Sequence, residues 1–143
     1  MSIEITRLIE AQFLAHAKTC YPHECCGFIT GIQSGLAFSK ASYYLPCHNT
    51  LVEKSRRFLI DPLQYQDAED RADEQGLDII SIVHSHPDHN HDPSEFDRLH
   101  AWPGLSYIII SVLEGQVSSY RSWQLREDHS QFDAEDTLIE DES

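Results

Sequence analysis

The chain has 143 residues, ten basic and 24 acidic, and a formal net charge of −14. That length suits one domain with a core of its own, and 41% apolar residues is too many for a disordered chain. The acidic balance argues against nucleic acid or an anionic membrane as partner, because both need a basic face.

Residues 6–18, TRLIEAQFLAHAK, carry two adjacent apolar stripes. Leu8, Ala11 and Ala15 form one, and Ile9, Phe13 and Ala17 the other, which predicts an amphipathic helix with Thr6 as N-cap. Residues 25–32, CCGFITGI, predict a strand, and residues 36–45 its return after a turn at Gly35. Residues 47–57 read as a polar loop and 58–60 as a short strand. Asp61 at N-cap and Pro62 at the first helical position then open a helix that ends before Gly76. Residues 77–84, LDIISIVH, predict a buried strand. Residues 87–93 form a loop, and Ser94 caps a short helix to about His100, with Glu95 and Asp97 in its first turn. Residues 106–113, SYIIISVL, and 116–125 predict a final hairpin turned at Glu114 and Gly115. Mixed helices and strands with hairpins give one α/β (α+β) domain over residues 1–126.

The charge is uneven. Residues 127–143 hold eight acids and no Lys or Arg, and residues 61–78 hold seven acids against Arg71. The first run predicts a mobile, solvated tail and the second an exposed helix face. No apolar run approaches the roughly 20 residues of a membrane span. The opening residues MSIEITRLIE lack the apolar region of a signal peptide, so the expected location is cytoplasmic. Cys20, Cys25, Cys26 and Cys47 include no CxxC pair and are expected to be reduced core or near-core residues.

One stretch carries chemistry: residues 84–97, HSHPDHNHDPSEFD. His84 and His86 sit two apart at a strand end, so their imidazoles share a face. Ser94 and Asp97 sit three apart at a helix start and also share a face. The intervening loop is long enough to bring the two pairs together. Two imidazoles and a carboxylate are a typical ligand set for catalytic zinc, leaving a fourth position for water. Zinc lowers the pKa of that water to about 7. Glu24 is the candidate general base, and Ser94 a candidate donor to the oxyanion. Asn49 is a candidate substrate contact, since an amide both donates and accepts. His89 and His91 adjoin the motif as solvated loop residues, second-metal ligands or substrate contacts. Arg56 and Arg57 are a solvated pair or a contact for an acidic partner. A thiol mechanism lacks a well-placed histidine, and a zinc deaminase would need H-x-E and P-C-x-x-C, neither of which is present.

HSHPDHNHDPSEFD resembles the JAMM motif of the JAB1/MPN/Mov34 metalloproteases, with all four key positions intact. YPHECCGFITG resembles the family's upstream segment that supplies its catalytic glutamate. The resemblance spans about residues 3–125 and is to the compact prokaryotic branch. It implies a curved mixed β-sheet flanked by helices, similar in outline to cytidine deaminases. It implies one zinc per chain on His84, His86 and Asp97, with Glu24 as general acid/base and Ser94 as oxyanion helper. The implied activity is hydrolysis of the amide after the C-terminal Gly-Gly of a ubiquitin-like or sulfur-carrier protein. The alternatives are a non-catalytic MPN scaffold and a metal-storage or sensing protein.

Overall fold

The structure is a computed structural model, and it describes residues 2–35, 38–47 and 62–141. Asn49, Arg56, Arg57, the strand expected at 58–60 and the expected N-cap Asp61 lie outside the described residues.

The elements run β1 (Ser2–Thr6), α1 (Arg7–Cys20), β2 (Cys26–Ser34), β3 (Phe38–Cys47), α2 (Pro62–Glu74), β4 (Asp78–Pro87), α3 (Glu95–His100), β5 (Ser106–Leu113), β6 (Gln116–Leu125) and β7 (Phe132–Glu140). The strands close into a barrel in the order β1-β3-β2-β4-β5-β6-β7. β4 lies inside the sheet, antiparallel to β2 and parallel to β5. Its apolar run is continuous because both faces are covered. At Gly31 the β2–β3 register shifts, and a Cβ there would lie 2.0 Å from the Lys40 carbonyl oxygen, so only glycine fits.

α1 starts where expected, with Thr6 Oγ1 accepting from Ile9 N at 3.1 Å. Only one of its two apolar stripes is buried, that of Ile9, Phe13 and Ala17. Leu8 is half exposed. The reason is geometric: Phe13 sets the inward direction, meeting Tyr44 and Tyr120 edge-on at ring distances of 6.2 and 5.2 Å. These residues join Ile3, Ile5, Ile29, Val83, Ile108 and Ile110 in one core. A second core on the opposite face of the sheet gathers Phe28, Ile82, Tyr107 and Leu125 with Ala68 of α2. α2 buries Ala68 and Ala72, leaves its acids exposed, and is followed by Gly76 at φ +71°. All four cysteines are free thiols, two of them buried, and Cys26 and Cys47 face each other across β2 and β3.

The mobile tail expected over 127–143 is corrected by the structure. Residues 132–140 form β7, antiparallel to β6 and parallel to β1. The acids there are partnered across the ladder. Glu135 is buried and accepts from Ser122 Oγ and Gln124 Nε2, both at 2.7 Å. Asp133 pairs with Arg126 at 3.0 Å. β1 was likewise absent from the reading of the sequence; it is the strand that β7 needs to close the barrel. Among the described residues, no helix is long and apolar enough to cross a membrane.

Candidate metal and catalytic centre

The two-residue period of β4 sorts its side chains. Val83 points into the core that holds α1, while Ile82 points to the face that holds α2. His84 and His86 share the phase of Ile82. They are 1% and 8% exposed, with Nε2 atoms 3.2 Å apart.

α3 supplies the third donor through its own N-terminus. Ser94 Oγ accepts from Asp97 N at 3.1 Å, and Asp97 Oδ2 accepts from Ser94 N at 2.8 Å, a reciprocal capping box. The box leaves the Asp97 carboxylate facing both histidines. Oδ1 lies 3.2 Å from His84 Nε2, and Oδ2 lies 3.0 Å from His86 Nε2. His86 Nδ1 lies 2.9 Å from the Asn90 carbonyl oxygen, to which it donates, so its Nε2 lone pair is directed at the other two donors.

These three side chains could hold a metal ion; their donor atoms all lie within 4.8 Å of one another. Ligands at the 2.0–2.2 Å bond lengths of zinc, on the corners of a tetrahedron, stand about 3.3–3.6 Å apart. The two histidine nitrogens stand 3.2 Å apart, and each has one oxygen of the Asp97 carboxylate within 3.0–3.2 Å, close to that edge. The donor types, two neutral imidazoles and one carboxylate, fit zinc as well.

The electrostatics follow the same arrangement. Burial alone would raise the Asp97 carboxyl, but His84, His86 and the Ser94 N–H outweigh it and hold it well below the usual carboxylate range. Burial pushes His84 down, whereas the bonds of His86 to Asp97 and Asn90 outweigh its burial and push it up.

Glu24 enters by register. The β2–β4 ladder pairs Cys26 with His84. Continued two residues beyond that last ladder pair, the same register directs Glu24 toward His86, on the histidine face. Glu24 is 6% exposed, and burial pushes its carboxyl up to about 8, with His86 opposing and Asp97 adding to the rise. Glu24, His86, His89, Asn90, Ser94 and Asp97 line one cleft of about 340 Å³. His84 and Asp97 also border an apolar cleft of about 770 Å³ beside Tyr65, Leu99 and Trp102. Ser94 uses its oxygen as acceptor in the cap, which leaves its hydroxyl proton for donation into the cleft.

Of the residues singled out in the sequence, the fold thus brings Glu24, His84, His86, Ser94 and Asp97 together. His91 turns aside, its Nδ1 lying 2.8 Å from Ser119 Oγ. The reading of the sequence missed the apolar cleft and two hydrogen-bonding groups beside the site. These are the Asn90 carbonyl and Ser85, whose Oγ accepts from Cys25 N at 2.8 Å. A carbonyl leaves no sequence signal. Ser85 lay inside the motif, but only the β2–β4 pairing gives it a partner.

Comparison with known proteins agrees with this geometry. The family model described as prokaryotic homologs of the JAB domain matches residues 7–126. The tail tip assembly protein K of Escherichia phage N15 is 38% identical over 105 residues, 73% of this chain. The match spans only 39% of that protein's length. The desampylase of Haloferax volcanii is 31% identical over 100 residues, 69% of either chain. A Desulfitobacterium hafniense protein solved in solution superposes with a TM-score of 0.86 at 29% identity, covering 98% of this chain and 94% of its own. With the histidine pair, the capping-box aspartate and the domain-length match all in agreement, the chain belongs to the prokaryotic JAB-domain family.

Proposed function

We propose that the protein is a zinc-dependent peptidase or isopeptidase. Its substrate would be the amide bond after the C-terminal Gly-Gly of a ubiquitin-like or sulfur-carrier protein. The observation that carries the reading is the conjunction of three convergent donor side chains with a buried carboxyl, pushed up by burial, beside them. The likeness to a desampylase supports the ubiquitin-like substrate class.

His84, His86 and Asp97 would hold the metal. Bound there, zinc supplies a Lewis acid and brings the pKa of water down to about 7. The chain's own groups account for the proton movements. Glu24 accepts a proton from the attacking water and returns it to the departing amine as the C–N bond breaks. A carboxyl that titrates near the working pH can serve both halves of that transfer. The Ser94 hydroxyl donates to the scissile carbonyl oxygen as negative charge develops on it. Asp97 links metal binding to the helix cap, so α3 positions donor and oxyanion helper together.

The test is intact-mass analysis of Gly-Gly adducts of candidate carriers incubated with the purified protein. Cleavage at the Gly-Gly carboxyl, abolished by a chelator and restored by zinc, is expected. Cleavage that survives complete zinc removal, or no cleavage by zinc-loaded protein across peptide and isopeptide adducts, overturns the reading.

A further inference from the structure

We infer that Ser85 is a positioning residue for Glu24, acting through the peptide units of Cys25. The inference rests on the proposed peptidase reading and adds to it a residue that touches neither metal nor cleft.

Ser85 lies between the two histidines but in the opposite phase of β4, so its side chain points away from them. It is fully buried and does not line the catalytic cleft. The antiparallel ladder between β2 and β4 ends at the Cys26–His84 pair. One residue further, a regular ladder would exchange two backbone hydrogen bonds between Cys25 and Ser85. Only one is present: Ser85 N donates to Cys25 O at 3.1 Å. The other donor, Cys25 N, turns to the Ser85 side chain, whose Oγ accepts at 2.8 Å.

The consequence falls on the next residue. Glu24 precedes β2 and has no place in its ladder. Its backbone direction is set by the Cys25 amide, which Ser85 holds from one side only. Without Oγ, that buried N–H must find another acceptor or go unsatisfied. Either outcome moves the residue that carries the proton. A misplacement of about 1 Å at a reacting centre costs on the order of 100-fold in rate.

The experiment is a double-mutant cycle with a readout independent of turnover. In the zinc-loaded protein, Ser85→Ala is expected to lower kcat on the order of 10–100-fold, with KM and zinc stoichiometry unchanged. In the Glu24→Gln background the same change is expected to cost nothing further, because the group it positions no longer transfers protons. Hydrogen exchange at the Cys25 amide is expected to accelerate in Ser85→Ala. Should that variant fail to fold, Ser85→Thr and Ser85→Val form a shape-matched pair that differs by the acceptor. Only the threonine variant is expected to retain kcat and Cys25 protection. Equal losses in both Glu24 backgrounds, loss of zinc, or unchanged Cys25 exchange in an active enzyme overturns the inference. An inactive wild type overturns the peptidase reading instead, while the exchange measurement still reports whether Ser85 holds Cys25.

Discussion

Replacing Glu24 by Gln tests the buried carboxyl without changing its shape. The ordinary value for this group is 4.5, and burial pushes it up to about 8. Between those two values the folded state holds a proton that the unfolded state has released. The stability contribution is therefore full below pH 4.5 and is lost as pH rises through 8. One proton of difference gives a slope of about 1.4 kcal/mol per pH unit. Because the group titrates across the window, the net loss from pH 7 to pH 9 is also about 1.4 kcal/mol. Gln keeps the volume and carries no charge at any pH, so Glu24→Gln should lack this loss. The assay is urea unfolding of chelator-treated protein at pH 7 and pH 9, with wild type and variant in parallel. Identical pH dependence in the two proteins would refute the assignment of a raised carboxyl at this position. In the zinc-loaded form the same variant should retain metal and lose about 10²- to 10⁴-fold in kcat, the usual worth of a general base.

Two further outcomes follow from the geometry. Zinc at 100 times its dissociation constant should stabilise the wild type by about 2.7 kcal/mol, read as a rise in Tm. Asp97→Asn, which removes the one anionic donor, should shrink that rise sharply, and an equal rise in both proteins would remove Asp97 from the metal site. Ending the chain at residue 131 should strip Phe132 and Ile139 from the two cores and open the β1 and β6 edges. At roughly 1.5–3 kcal/mol for a fully buried apolar side chain, these two partly buried ones contribute at most about 3–6 kcal/mol, still a large share of the stability of a small domain. Cooperative unfolding at the wild-type Tm would show that β7 is dispensable.

Helices and strands with strong local signals were legible in the residues. Thr6 and Ser94 announced their caps, Gly76 its helix end, and SYIIISVL its strand. The convergence of the candidate donors was legible too, because the spacing of His84 and His86 on a strand and of Ser94 and Asp97 on a helix already sets each pair on one face. Chain closure was not. β1 is five residues long, and β7 looks like a charged tail until Ser122, Gln124 and Arg126 are placed across from its acids. Nor could the sequence choose between the two stripes of α1, a choice made by what faces Phe13.

The sequence by itself thus determined the candidate donor set and the helix cap, because both depend on neighbours within 14 residues. Only the tertiary structure decided how Glu24 meets that set. It reaches the histidine face through the pairing of β2 with β4, across some 60 residues of chain, where the Cys26–His84 register and the Ser85–Cys25 bond settle its position.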